Sequence, residues 1–382
     1  MKILFITTTS TTSYAFLIEL ADELRKSNNE VEFAFNSDSF SDAPSKKNEI
    51  IDMGFVVNEV KFNRDISLIQ DIKSGIKLFN LIKANKYDIV HSHTSKAGFI
   101  SRIVCKIIGQ YNIHTSHDLY YRAFKKGVKR KIFIYIERFA SCFADKIFFV
   151  SEAVMNSAIK EKVASSDKLY FVSNGIIPKN NYGINNEIIK INPHLVKNEG
   201  EKVVGVVSRL VENKAVDVFI KAAIEIEKED PFVKFIIIGK GPLLKRLKEQ
   251  GHDLVKKDKL FFLNNIESKK DLENIVSTFD VFLFPTIREG LGIVILEALD
   301  LGVPVITTNL APMNTIITNK VNGFLCEKSN HHDFAKKTIQ VLSDYALRAE
   351  MIENGYKTVN EKFNLDVINK NIIKIYHHSI EK

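Results

Sequence analysis

Two glutamates stand eight positions apart in one stretch of this chain, Glu289 just before Gly290-Leu291-Gly292 and Glu297 inside the apolar run Ile293-Val294-Ile295-Leu296-Glu297-Ala298-Leu299. A carboxylate set among apolar helix neighbours is costly to bury unless it meets a hydrogen-bonding partner, so Glu297 is expected to face a ligand's hydroxyls. Glu289 sits where a loop enters a helix. The free backbone N–H groups of Gly290, Leu291 and Gly292 carry positive partial charge there, and they favour an anionic ligand or the glutamate itself. The alternative is plain: a helix-start acid and a solvated helix-edge acid. Upstream, Arg209 and Lys214 flank another strand-to-helix loop. A forked guanidinium and a point-charge ammonium beside helix-start amides make a diphosphate clamp. Gly239 and Gly241, in Gly239-Lys240-Gly241-Pro242, are glycines of the kind that let a backbone approach a nucleotide. His93 and His117 follow two successive apolar runs, either as site residues or as capping and hydrogen-bonded loop histidines.

These residues need a scaffold, and the hydrophobic pattern supplies one. Lys2 to Thr8, Val31 to Phe35, Asp88 to His91, Asn112 to Thr115 and Lys146 to Val150 read as buried strands, with amphipathic helical stretches such as Tyr14 to Lys26 and Leu68 to Ala84 between them. After the polar, asparagine-rich segment 179–198 the alternation resumes with Val203 to Val207, Phe235 to Ile238, Leu260 to Leu263 and Val281 to Phe284. Alternating strand and helix predicts an α/β protein with parallel, doubly wound sheets. Each candidate residue then falls at the carboxyl end of a strand, where such sheets place their ligands. The first turn, Thr7 to Ser13, is hydroxyl-rich and lacks a Gly-x-Gly fingerprint, so capping of the following helix is its expected job.

The chain has 382 residues, enough for two domains. Its 45% hydrophobic and 26% charged content is that of a globular protein. Cys105, Cys142 and Cys326 have no paired spacing, which argues against a disulfide framework or zinc site and for a reducing, cytoplasmic setting. No apolar run approaches a membrane span. The net charge of +8 favours anionic partners. Arg122 to Lys131 holds six basic residues and no acid, and runs into an apolar, aromatic helix. It reads as a membrane-surface docking element or as a core helix with a solvated basic end. Nucleic acid is not expected, because no zinc, helix-turn-helix or aromatic-interleaved basic motif is present.

The pattern of Glu289, seven residues and Glu297, followed by Gly302-Val303-Pro304-Val305-Ile306, together with Arg209, Lys214 and Gly239-Lys240-Gly241, resembles retaining glycosyltransferase family 4. The resemblance spans essentially the whole chain and is most specific over residues 203–325. It implies the GT-B fold, two Rossmann-like domains facing across a cleft: an acceptor-binding domain over 1–178 onto which helix 364–382 packs back, a linker at 179–198, and a nucleotide-sugar domain over 199–363. It implies catalytic roles for Glu289 at the sugar ring, His117 near the reacting sugar, and Arg209 and Lys214 on the diphosphate. Glu297 would take the ribose hydroxyls, Ile266 would border the base, and Gly239, Gly241, Gly290, Leu291 and Gly292 would line the donor. No metal or other cofactor is implied. The donor would be a UDP-sugar and the acceptor a lipid-diphosphate-linked saccharide of capsule or O-antigen assembly, reached from the inner face of the membrane through the basic segment. Two departures stand out: Ala215 where the family has glycine after the lysine, and Asn314 where it has a glutamate. A UDP-sugar 2-epimerase of the same fold and a non-catalytic membrane- or polyanion-binding protein are the rival expectations.

Overall fold

The computed structural model describes residues 1–37, 43–63, 67–124, 126–179, 197–266 and 268–380. It divides into two units: Met1–Asn174 with Asp366–Lys382, and Gly175–Leu365. Most of the segment expected as a linker lies outside the described residues.

The first unit is built on a seven-stranded parallel sheet of β1 (Lys2–Thr9), β2 (Glu30–Asn36), β3 (Val56–Glu59), β4 (Ile89–His93), β5 (Asn112–Ser116), β6 (Lys146–Phe149) and β7 (Leu169–Phe171). Their order is β3-β2-β1-β4-β5-β6-β7, so the winding reverses between β1 and β4. Parallel strands are covered on both faces, which is why β1 is a near-continuous apolar run ending in threonines rather than an alternating one. Helices α1 (Ser10–Lys26), α2 (Ala43–Asp52), α3 (Leu68–Asn85), α4 (Ser95–Ile108), α5 (Val128–Ser141) and α6 (Glu152–Lys160) connect the strands. On one side Phe5, Phe33, Leu17, Leu20 and Leu24 pack with Ile368, Ile372 and Tyr376. On the other Leu4, Ile6 and Val90 pack with Leu78, Ile82, Ile100 and Val104. Each fully buried Phe or Leu contributes on the order of 2 kcal/mol.

The second unit carries a six-stranded parallel sheet: β8 (Lys202–Val207), β9 (Val233–Ile238), β10 (Leu260–Leu263), β11 (Val281–Phe284), β12 (Val305–Thr308) and β13 (Gly323–Cys326). Its order, β10-β9-β8-β11-β12-β13, reverses between β8 and β11. Among the described residues, nine helices join or follow these strands: α7 (Val216–Glu229), α8 (Leu244–Gln250), α9 (His252–Lys256), α10 (Lys269–Ser277), α11 (Ile293–Asp300), α12 (Met313–Ile316), α13 (His331–Ser343), α14 (Tyr345–Lys362) and α15 (Leu365–Ile380), the last belonging to the first unit from Asp366 onward. The expected strand and helix alternation is present in both units. Helix α2 was not anticipated, because its sequence Ala43-Pro44-Ser45-Lys46-Lys47-Asn48 is polar and offers no apolar period over most of its length.

Candidate functional site

Loops from β8 and β11, the two strands at the second unit's winding reversal, are sewn together by backbone hydrogen bonds. The Ile287 N–H donates to the Asn213 carbonyl at 2.9 Å, and the Thr286 hydroxyl reaches the same oxygen at 3.0 Å. Asn213 Nδ2 donates back to the Arg288 carbonyl at 3.4 Å. This seam brings Lys214 onto Glu289 as an ion pair, with side chains only 13% and 20% exposed. The Lys214 ammonium also lies 5.1 Å from the centre of the Phe284 ring. The other Glu289 oxygen accepts the Gly290 N–H at 3.3 Å. The helix start thus holds the glutamate itself. Gly292, at φ 91°, turns the chain into α11, and a Cβ there would lie 3.0 Å from the Met313 methyl. Leu291 is buried beside it, whereas Arg209 is exposed and its guanidinium has no hydrogen bond or ion pair among the described residues.

The glycines of β9's loop have a reason within the fold. A Cβ on Gly239, at φ 147°, would sit 1.9 Å from the Ser208 carbonyl oxygen, and one on Gly241 would sit 2.3 Å from that of Leu210. The Leu210 N–H donates to the Lys240 carbonyl at 2.9 Å and the Leu243 N–H to the Leu210 carbonyl at 3.2 Å. The pair therefore lets the β8 and β9 loops touch backbone to backbone, which fixes the course of the segment carrying Arg209. Ala215, where the turn into α7 needs a left-handed residue, stands at φ 49°, ψ 41°.

Glu297 borders a small open recess lined by Val207 at the end of β8, Lys269 and Glu273 of α10, and Val294 and Leu301 around α11. The Lys269 ammonium is 3.5 Å from Glu297 Oε1. Burial pushes the Glu297 carboxyl above its usual range and the Glu273 charge adds to this, while Lys269 opposes it. Ile266 is half-buried in the loop after β10. Ser208 Oγ, Asn264 Oδ1 and Thr308 Oγ1 are buried without a hydrogen-bond partner among the described residues. They follow or end β8, β10 and β12, so these three lie along the same strand-end edge as the candidate residues, while Asp300 Oδ1, also without a partner among the described residues, lies at the end of α11.

In the first unit His93 is the last residue of β4 and buried, a correction to the expected loop position. Its Nδ1 lies 3.3 Å from Nε2 of His117, whose Nδ1 is 3.4 Å from Asn174 Nδ2. The Phe16 ring packs on His117 at 4.8 Å. Burial holds His117 below its ordinary range, at about 4, and holds His93 well below its own ordinary range with help from the neighbouring histidines. Thr9 caps α1, its hydroxyl accepting the Thr12 N–H at 3.3 Å, and the Thr8 and Thr94 hydroxyls meet at 2.6 Å across the β1–β4 reversal. Lys96, in the first turn of α4, pairs with Asp71 at 2.8 Å.

Of the basic segment, Arg122 is held by Asp118 and Arg130 by Glu161, each at 2.6 Å, while Lys126, Lys129 and Lys131 are exposed and Lys125 lies outside the described residues. Helix α5 presents Val128, Ile132, Tyr135, Ile136 and Phe139 to the surface. Helix α3 does the same with Leu68, Ile69, Ile72 and Ile76, beside exposed Lys73 and Lys77. The α3 stripe was missed at the sequence level, because its period is that of any core-facing helix. Among the described residues no helix is long and apolar enough to cross a membrane. One cluster there has metal-ligating spacing, Glu225 with His331 and His332, with His332 Nδ1 2.8 Å from the carboxylate. It lies on α7 and the first turn of α13, a helix start that opposes a cation, and includes none of the candidate residues.

Two Rossmann-like units, each with candidate residues at the carboxyl ends of its strands, have the architecture of the GT-B fold. Residues 15–180 match the family model described as Glycosyltransferase Family 4, and residues 187–358 match the one for glycosyl transferases group 1. The chain is 30% identical over 316 residues to the UDP-Gal:alpha-D-GlcNAc-diphosphoundecaprenol alpha-1,3-galactosyltransferase of Escherichia coli, covering 79% of this chain and 78% of that protein. It is also 30% identical to the capsular polysaccharide biosynthesis glycosyltransferase CapM of Staphylococcus aureus, covering 84% and 85%. The chain belongs to glycosyltransferase family 4. Among solved structures, Anabaena HepE in complex with UDP and glucose shares the fold at a TM-score of 0.83, with 20% identity and coverage of 99% and 100%.

Proposed function

We propose that this glycosyltransferase moves a hexose or N-acetylhexosamine from a UDP-sugar to a lipid-diphosphate-linked saccharide, with retention of configuration, in the assembly of a surface polysaccharide such as capsule or O-antigen. The observation that carries the donor half is the β8–β11 reversal, whose loops carry an exposed Arg209, the Lys214–Glu289 pair and the start of α11. The E. coli relative, named for a UDP-galactose donor and a diphosphoundecaprenol acceptor, and the capsular S. aureus relative support the substrate class.

In this reading Arg209, Lys214 and the N–H groups around Gly290, Leu291 and Gly292 take up the charge that develops on the departing UDP. Each fixed donor contributes about 3 kcal/mol of transition-state stabilisation. These groups supply positive charge directly, so no metal is given a role. Lys214 would exchange Glu289 for phosphate oxygens, freeing Glu289 for the sugar ring. Glu297 would take the ribose hydroxyls at its recess, with Ile266 against the base, Gly239 and Gly241 holding the Arg209 loop in place, and His117 near the transferred sugar.

The acceptor would be met at an anionic membrane surface on the cytoplasmic side. Lys126, Lys129 and Lys131 flank the apolar stripe of α5, and Lys73 and Lys77 flank that of α3, which suits the headgroup boundary of anionic lipid. The test is transfer itself. Purified protein with a panel of UDP-sugars and diphosphoundecaprenol-linked saccharides is expected to yield a lipid-linked product that disappears in Arg209→Ala and Glu289→Ala. Absence of product across the panel, or product that survives both substitutions, overturns the proposal.

A further inference from the structure

His117 has both ring nitrogens occupied within the first unit: Nδ1 faces Asn174 Nδ2 at 3.4 Å and Nε2 faces His93 Nδ1 at 3.3 Å. An amide nitrogen has protons to give and no lone pair to offer, so the Asn174 contact makes Nδ1 of His117 an acceptor. A neutral imidazole carries one ring proton, which must then be on Nε2, where it points at His93. His93 accepts it on Nδ1 and is left with its own proton on Nε2. That nitrogen is buried, in a side chain 4% exposed, and has no partner among the described residues. The direction of the whole chain of bonds follows from one amide.

We propose that Asn174 and His93 are positioning residues that hold His117 as its neutral Nε2–H tautomer, both ring nitrogens engaged, so that the ring meets substrate as an uncharged surface of fixed orientation. The proposal rests on the reading that His117 borders the transferred sugar. A neutral ring whose one proton is given to His93 and whose lone pair faces an amide donor has no proton to give the sugar and no free lone pair to take one, so His117 orients the sugar by contact and acts neither as acid nor as base. The packing agrees. Phe16 lies on the His117 ring at 4.8 Å, the His91 ring lies 4.3 Å from that of His93, and burial disfavours a charged imidazole at both positions. His91 is itself anchored from two sides, by Tyr376 of α15 and by the Thr115 hydroxyl at 2.7 Å, so the His93 ring packs, tilted, against an immobilised neighbour.

The experiment is nitrogen-15 NMR of the histidine rings in the full-length, unliganded protein at pH 7, assigned with His117→Gln and His93→Gln. The expected spectrum has a pyridine-like Nδ1 and a pyrrole-like Nε2 for His117. Asn174→Asp, nearly isosteric, replaces the donor by a carboxylate that only accepts, and is expected to reverse the pattern to Nδ1–H or to drive the ring to the cation. In the transfer assay the same variant should lose on the order of tenfold in kcat, as when a hydrogen-bonded orienting partner is removed, with donor KM within about twofold. A wild-type His117 carrying its proton on Nδ1, or charged, overturns the proposal. So does a reversed tautomer with unchanged kcat. If Asn174→Asp folds poorly, Asn174→Ala is the second variant: it should give a mixed tautomer spectrum, and an unshifted one overturns the assignment. Failure of the wild-type protein to transfer sugar would instead strike the functional reading, and it leaves the ring spectra just as readable.

Discussion

The ammonium of Lys214 is paired with the carboxylate of Glu289, although the two residues are 75 positions apart and each was read as a contact to a different part of the donor. Both side chains are mostly shielded from water. In this state the protein supplies its own anion to the lysine and its own cation to the glutamate. Lys214→Met strands a shielded carboxylate and is expected to destabilise the second unit by about 1–3 kcal/mol, whereas the double variant with Glu289→Gln should recover most of that loss. Transfer should stay at least a hundredfold down in both. Urea unfolding alongside product formation separates the two effects. Recovery of activity in the double variant would show that the pair is structural only.

Ala215 occupies a left-handed turn at φ 49°, where a Cβ costs on the order of 1 kcal/mol per residue. Ala215→Gly relieves that strain and at the same time loosens the unfolded chain, so a net gain of roughly 0.5 kcal/mol is expected. It should read out as a higher urea midpoint at constant m. A lower midpoint would mean that the buried methyl of Ala215 contributes more by packing than it loses by strain.

Glu297 has a carboxyl raised by burial from its ordinary value near 4.5. The folded protein therefore holds this proton to higher pH than the unfolded chain does. Stability falls as pH rises from the ordinary carboxyl range through the raised folded value, and the penalty is fully present above it. Glu297→Gln, which cannot ionise, should raise Tm at pH 7 and leave it nearly unchanged at pH 4. If the recess takes the ribose, the same variant should weaken UDP binding severalfold by calorimetry. Equal Tm shifts at both pH values would contradict the burial argument.

The stripes on α3 and α5 predict behaviour on vesicles. Ile72→Ser with Ile76→Ser, and separately Lys126, Lys129 and Lys131 changed to glutamate, are each expected to release the protein from vesicles rich in anionic lipid while circular dichroism stays unchanged. Raising the salt from 0.1 M toward 1 M should reduce binding in the wild type, since the screening length shrinks from about 10 to about 3 Å. Undiminished sedimentation of both variants would remove the membrane from the proposal.

Much of the fold was legible because parallel strands buried on both faces write themselves as short apolar runs, and the helices between them keep a 3.6-residue period. The local chemistry was legible for the same reason: Glu289, Gly290 and Gly292 lie in one loop, so their order along the chain nearly equals their order in space. Ala215 announced its own strain by departing from glycine. The polar helix α2 and the end of β4 were not legible. Polar helices show little apolar period, and His93 reads as a loop residue until the register of β4 against β5 places it opposite Thr115 within the sheet.

What sequence alone determined about this protein is its class: a two-domain, doubly wound transferase whose cations and glycines stand at strand ends, because those features are short-range. What only the tertiary structure decided is which charges and protons face one another. Lys214 meets Glu289 only because β8 and β11 are neighbours at the winding reversal. Gly239 and Gly241 are required by two carbonyls of another loop. The imidazoles of His93 and His117 meet at the ends of the adjacent strands β4 and β5, Asn174 reaches His117 from beyond β7, and His91 meets Tyr376 from 285 residues away. Pairing of this kind depends on strand order and on packing, and strand order is not written in any local stretch of the chain.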